Sequence, residues 1–181
     1  MSNWKNVAAW EPILVPGREK PWAERLDAVL DDLDVVRAIR YDPQPKTKCN
    51  IYVTDVIRNM RVPAPEHWMT SEGVPAKMGQ GIEMSANRLA PWFRLHGPRY
   101  GWWSADEATA RNAAERGHLV VVSWQSDGRR EPGHCAIVLG ELDGKARITQ
   151  AGGFNSRECP LSAGFGNRGP LEFWIQAERV E

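Results

Sequence analysis

Cys49, His134 and Gln150 are the side chains whose types and places suit one chemistry, nucleophilic attack on a carbonyl. Cys49 stands at the expected start of a helix, where backbone N–H groups and the macrodipole favour an anion and hence a thiolate. Lys46 and Lys48 push the same way. His134 opens an expected strand after Pro132-Gly133, a place from which a ring can project past a sheet edge. Gln150 ends the next expected strand, across an Asp143-Gly144 hairpin turn. A thiolate, an imidazole that moves a proton and a polar group that fixes the imidazole tautomer are the parts of acyl transfer. The oxyanion would fall near the Cys49 backbone N–H. Residue types alone leave a plainer reading open, with Cys49 a buried thiol on an apolar helix face and His134 a surface ring.

These three residues need elements to hold them. Met1–Lys20, with Trp4, Trp10, Pro12 and Pro16, reads as an extended N-terminal arm, and 21–181 as a single domain. From Pro21 to Arg40, Trp22, Leu26, Val29, Leu30, Leu33, Val36 and Ile39 recur at helical spacing. Pro43 and Pro45 end that helix. A second helix starts near Thr47–Cys49, with Thr47 as N-cap and Cys49, Val53, Val56 and Met60 on one stripe. Residues 62–82 read as a long loop, and a shorter helix runs from about Ile82 to Phe93. Ser104–Arg116 carries a Ser104/Glu107 capping box and stops at Gly117. The pattern then changes to strands at Leu119–Trp124, His134–Leu139, Ala146–Gln150 and Leu171–Gln176. The expectation is an α+β fold, with N-terminal helices packed on a central antiparallel sheet.

Composition narrows the classes. The 181 residues suit one domain. With 23 basic and 23 acidic residues and no Lys/Arg block, neither nucleic-acid binding nor capture by an anionic membrane is expected. Apolar runs such as Leu119–Val122 and Cys135–Leu139 are too short to cross a bilayer, so no membrane insertion is expected. No apolar h-region follows Met1, which reads as synthesis in the cytoplasm without a secretory signal peptide. Cys49, Cys135 and Cys159 form no CxxC pair, so neither a metal site nor a disulfide framework is expected. Cys135 alternates with His134 and reads as core filler. His67, His96 and His118 read as surface residues, and Asp55 as a salt-bridge partner near Arg58 or Asn59. Gly152-Gly153 and Gly164-Phe165-Gly166 lack the following helix and Lys-Ser/Thr of a phosphate loop. Nine tryptophans fit core packing or aromatic platforms for a sugar or peptide.

A family resemblance adds to this. Lys48-Cys49-Asn50-Ile51-Tyr52-Val53-Thr54-Asp55-Val56 resembles the nucleophile helix of papain-like CHAP and NlpC/P60-type peptidoglycan hydrolases. Trp103-Ser104, Glu107-Ala108, Ala113, Arg116-Gly117 and Val120-Val121-Val122 resemble the passage before the catalytic histidine in phage and bacterial lysins. Gly133-His134-Cys135-Ala136-Ile137-Val138 is similar to their Gly-His-Val-Ala-Ile-Val strand. Lys-Cys-Asn-Ile in place of Asp-Cys-Ser-Gly, with no Tyr-x-Trp-Gly-Gly before it, marks a divergent branch.

The resemblance implies a papain-like fold and a cysteine hydrolase, endopeptidase or amidase, that cleaves an amide in bacterial peptidoglycan without metal or organic cofactor. Cys49 would be the nucleophile, His134 the base and then acid, and Gln150 or Asn155 the orienting residue. Tyr41 would support the oxyanion, and Trp68 and Trp103 would flank a groove for a stem peptide or glycan. Such an enzyme would reach the wall after lysis or injection, as an endolysin, a virion lysin or an effector; an effector implies an immunity protein as partner. Two rivals stand beside it: a papain-like protease or deamidase toxin acting on a protein, and a non-catalytic Trp-rich glycan-binding module.

Overall fold

The computed structural model describes residues 22–44, 46–127 and 132–176; the expected arm at 1–20 lies outside them. The first helix, α1 (Trp22–Leu33), turns Leu26, Val29, Leu30 and Leu33 into the core. It ends earlier than the sequence pattern suggests. Asp34 takes a left-handed φ of 38°, which short polar side chains tolerate and which breaks the helical ladder. Val36 and Ile39, although on the predicted stripe, are therefore exposed, and Ile39–Tyr41 form a separate 3₁₀ turn.

The second helix, α2 (Cys49–Asn59), is buried along Ile51–Ile57 and is the central helix of the molecule. Lys48, not Thr47, occupies its N-cap position, and no side chain caps it. The stretch read as a long loop contains a short antiparallel ribbon, β1 (Trp68–Met69) with β2 (Ile82–Glu83). α3 (Ala86–Leu95) begins later than expected, with Ser85 at its N-cap position. A strand absent from the sequence reading, β3 (Trp102–Ala105), takes Ser104. The expected capping box does not form: α4 (Glu107–Glu115) is capped by Asp106, which accepts the Thr109 N–H at 2.7 Å. Glu107 instead accepts the Ala146 N–H at 3.0 Å, tying the helix to the sheet.

The sheet is completed by β4 (Leu119–Trp124), β5 (His134–Leu142), β6 (Lys145–Ala151), β7 (Asn155–Pro160) and β8 (Glu172–Gln176), with α5 (Leu161–Phe165) between the last two. Its order is β3-β8-β4-β5-β6-β7, antiparallel throughout. Asp143 and Gly144, at φ 52° and 77°, make the β5–β6 turn that the sequence predicted. Leu119, Val121, Cys135, Ile137 and Trp174 share the core of α1, α2 and α3, while Val120, Val122, Ala136, Val138 and Ile148 face α4 and α5. Both faces are covered, which is why β4 reads as an unbroken apolar run. The architecture is thus α+β, with helices on both sides of the sheet. Among the described residues no helix is long and apolar enough to cross a membrane.

Several tryptophans serve this core. Phe93 lies between Trp102, edge-on at 4.9 Å, and Trp174, stacked at 5.3 Å. The indole N–H of Trp102 donates to the Ala64 carbonyl at 2.7 Å, satisfying the polar atom of a buried ring.

One buried ion pair fixes α2 to the segment before it. Asp55 accepts from Arg40 Nε at 2.6 Å and Arg40 Nη2 at 2.8 Å, and from the Tyr41 hydroxyl at 2.9 Å. The partner expected near Arg58 is instead Arg40, because Arg58 is engaged by Glu66. The Arg40 and Asp55 side chains are only 9% and 4% exposed, so removing one strands the other's charge away from water. Arg40→Met should lower the unfolding free energy by about 3–5 kcal/mol, read by urea denaturation. A loss below about 1 kcal/mol, the range of an exposed pair, would show that the pair does not hold α2.

Candidate active site

The first turn of α2 presents Cys49 with no competing side-chain cap, so its backbone N–H groups stay directed at whatever anion lies there. α2 packs across β5, and this brings the Cys49 sulfur to the start of that strand. His134 and Cys135, successive residues of β5, both hydrogen-bond with the Cys49 sulfur. The fold thus brings Cys49 and His134, far apart along the chain, next to one another.

Gln150 completes the set. The His134 Nε2–H donates to Gln150 Oε1 at 2.8 Å, which leaves Nδ1 for the thiol. The Gln150 amide is itself turned by its Nε2–H, which donates to the Phe154 carbonyl at 3.4 Å. The Phe165 ring of α5 lies 4.8 Å from the imidazole.

Two glycines make room for this hydrogen bond. A β-carbon on Gly152 would come within 3.1 Å of His134 Cε1, and one on Gly164 within 2.4 Å of Gln150 Oε1. A third, Gly133, lets Asn87 press on the strand entrance, since a β-carbon there would meet Asn87 Oδ1 at 2.3 Å. Asn87 in turn accepts the Ser126 N–H at 2.9 Å, clamping both sides of the strand entry. Gly152 and Gly164 thus cradle side chains, whereas a β-carbon on Gly153 or Gly166 would meet nothing within 4 Å.

The electrostatics favour a charged pair. The Cys135 thiol, hydrogen-bonded to the Cys49 sulfur, is the largest influence on Cys49 and helps hold its pKa well below the ordinary thiol value. Burial opposes this, and the His134 ring adds to it through a hydrogen bond and its charge. Burial alone would discharge His134, but the Cys49 sulfur and then Gln150 outweigh it and raise its pKa. Cys135 moves the other way: burial and the neighbouring thiolate push its thiol well up, so it stays protonated and donates. Cys49 is 3% exposed and His134 9%, so the pair lies almost wholly out of water. Such an arrangement supplies a nucleophilic thiolate, an acid, and helix N–H groups for an oxyanion.

The remaining expected site residues have other places. Asn155 does not orient the histidine; its Nδ2–H₂ donates to the Val35 carbonyl at 2.9 Å and the Tyr41 carbonyl at 2.8 Å, pinning β7 to the segment after α1. Tyr41 is fully buried with its hydroxyl on Asp55 and its ring edge-on to Tyr52 at 5.1 Å, so it is not placed to hold an oxyanion. Trp68 is half-buried in β1, edge-on to His67 at 6.0 Å. Trp103 is 59% exposed on β3, separated from β5 by β8 and β4, and it lines a cavity of about 540 Å³ with Arg94, Trp102 and Trp174. His67 is buried, not a surface residue, with Nε2 3.5 Å from Glu83 Oε1.

Cys135 is the functional residue that sequence reasoning missed. The alternation that turned it away from His134 was right, but the face it turns to is the one beneath α2, where Cys49 stands.

Gln150→Ala removes a bond that favours imidazolium, so the alkaline limb of the pH–rate profile should move to lower pH, with kcat/KM down about tenfold to a hundredfold. Asn155→Ala should lower the melting temperature and leave both limbs in place; the opposite pattern would exchange the two roles. Cys135→Val deletes the donor to the thiolate, so the acid limb of Cys49 alkylation by iodoacetamide should shift to higher pH. An unmoved limb would show that Cys135 only fills space.

Compared with models of known protein families, the chain matches none, and no curated protein matches it significantly.

Proposed function

We propose that this protein is a papain-like cysteine hydrolase that cleaves an amide bond of bacterial peptidoglycan. The observation that carries the reaction type is the contact of Cys49, at an uncapped helix start, with a histidine whose far nitrogen is held by Gln150. The order nucleophile-bearing helix, then histidine strand, then orienting residue on the adjacent antiparallel strand supports the papain-like reading. The substrate class comes from the similarity of the Cys49 and His134 motifs to CHAP and NlpC/P60-type hydrolases.

In this reading the Cys49 thiolate attacks the amide carbonyl carbon, and the oxygen takes the negative charge at the N–H groups of the first turn of α2. The intermediate collapses as the His134 imidazolium protonates the departing amine, leaving a thioester on Cys49. Neutral His134 then takes a proton from water, which attacks the thioester; the acid product leaves and the ion pair reforms. Gln150 keeps the ring in one orientation through both halves of the cycle. Action on the wall places the protein outside the cytoplasm at the moment of catalysis, after lysis or injection, and an injected enzyme would need an immunity protein in its producer.

The test uses purified sacculi. The wild-type protein should release muropeptides or new amino termini, and Cys49→Ala should reduce that release by at least about a thousandfold. Sacculi left intact by a protein that instead modifies a host protein through Cys49 would favour the protease or deamidase alternative. Intact sacculi bound equally well by Cys49→Ala would favour the glycan-binding module.

A further inference from the structure

Cys49 touches a second thiol, which the reaction above uses only as a hydrogen-bond donor. The side chain of Cys135 and its backbone N–H both hydrogen-bond with the Cys49 sulfur. The packing explains the meeting: Cys135 turns into the core beneath α1, α2 and α3, where Cys49 stands at the start of α2. Cys159 belongs to the core on the other face of the sheet, with Ile148 and Phe165. All three thiols are free, and the two that meet are those at the candidate active site.

The two partners differ in access and in protonation. Cys49 is 3% exposed and Cys135 0%, so a small oxidant arriving from solvent meets Cys49 first. Contacts with Cys135 and His134 favour the Cys49 thiolate, while burial and the Cys49 sulfur keep Cys135 a thiol. Oxidation by a hydroperoxide starts from a thiolate and gives a sulfenic acid. A sulfenic acid carries no charge. Its formation at Cys49 therefore removes the neighbouring charge that opposes ionisation of Cys135, at the step where Cys135 must attack.

We propose that Cys49 and Cys135 form a reversible thiol-oxidation site, in which a hydroperoxide converts the nucleophile into a Cys49–Cys135 disulfide. This goes beyond the hydrolase reading and rests on it only in taking Cys49 as the reactive thiol. With hydrogen peroxide, the Cys49 sulfur attacks one oxygen and the O–O bond breaks. The His134 imidazolium protonates the departing hydroxide, which leaves as water. The Cys135 sulfur then attacks the sulfenic sulfur, the S–O bond breaks, and the displaced hydroxide leaves as water with the Cys135 proton. The two sulfurs lose two electrons, the peroxide takes up both, and His134 ends neutral. A disulfide needs its sulfurs about 2 Å apart, so side chains already in hydrogen-bonding contact have little distance to close. Hydrolysis stops while the disulfide stands, and a dithiol restores it. The sulfur is thereby kept from sulfinic and sulfonic acids, which a dithiol does not reverse.

The experiment treats the reduced, intact chain with hydrogen peroxide, blocks remaining thiols with iodoacetamide and maps the peptides by mass spectrometry. The expected product is a peptide pair joining Cys49 to Cys135, and dithiothreitol should then return most of the Cys49 labelling. The wild-type map decides the link without any variant. Cys135→Ser keeps an O–H donor beside the sulfur but cannot close the disulfide. At equal consumption of Cys49, its dithiothreitol-resistant fraction should exceed that of the wild type about fivefold. Cys159→Ala should match the wild type. Cys49 taken to sulfinic acid without the link, or joined to Cys159 instead, would overturn the site and leave the nucleophile reading standing. An equal resistant fraction in Cys135→Ser and wild type would do the same. If peroxide consumes Cys159 as fast as Cys49, the site and the nucleophile fall together. Sacculi left uncut while the disulfide forms and reverses would support the site and overturn only the peptidoglycan assignment.

Discussion

A thiol whose pKa is held low and an imidazole whose pKa is raised, both nearly withdrawn from water, set the terms for the rest of this molecule. Burial opposes each charge separately: it raises a thiol's pKa and lowers an imidazole's. The pair stands because each offsets the other and because neutral donors and acceptors complete the shell. Cys135 donates to the sulfur, and Gln150 accepts from the ring. A site built in this way needs its partners fixed closely, since a buried charge left half-satisfied costs several kcal/mol. The surrounding fold is arranged accordingly. The Arg40–Asp55–Tyr41 cluster holds α2, Asn155 pins β7 to the segment after α1, and the Asn87–Ser126 clamp fixes the mouth of β5.

Much of this was legible in the sequence where local chemistry decides structure. The Asp143-Gly144 turn declares a hairpin, and that hairpin brings His134 and Gln150 onto neighbouring strands. Cys49 opens a helix because the apolar stripe from Val53 to Met60 begins there and Pro63 lies beyond its end. The thiol and the ring were nameable from type and position, and the family resemblance sharpened that reading. Choosing Gln150 over Asn155 was not possible from sequence, because both are polar residues near the end of the same hairpin. The choice depends on which one faces the imidazole and which turns to the carbonyls of Val35 and Tyr41.

Other features were hidden because they are set by contacts distant in the chain. The short strands β1, β2 and β3 carry few residues, and what defines them is their pairing: β3 exists through β8, some 70 residues later. Ser104 and Glu107 have the spacing of a capping box, but pairing with Trp174 draws Ser104 into the sheet and leaves Asp106 to cap α4. Tyr41 and Trp103 were chosen as aromatic residues near the motifs, yet one is consumed by a buried carboxylate and the other lies beyond two intervening strands. Gly152 and Gly164 illustrate a signal that sequence carries without explaining. A glycine in an ordered segment marks something close by, and only coordinates reveal that the neighbours are His134 and Gln150.

The hairpin that unites the histidine with its glutamine is not a regular ladder. Near the turn Leu142 pairs with Lys145 and Gly140 with Arg147, but beyond an irregularity Val138 pairs with Ile148, so Leu139 is taken up as an extra residue beside Gly140, whose φ is 112°. Side chains alternate faces along a strand, so one absorbed residue inverts the phase of everything upstream of it. Were the rungs to run evenly from Asp143-Gly144, Ile137 would face Gln150 and His134 would exchange sides with Cys135. The ring would then lie under α2 and the second thiol against Gln150, with every residue type unchanged. A single stored residue near the middle of β5 therefore acts as the phase key of the strand, deciding which of two adjacent side chains meets Gln150.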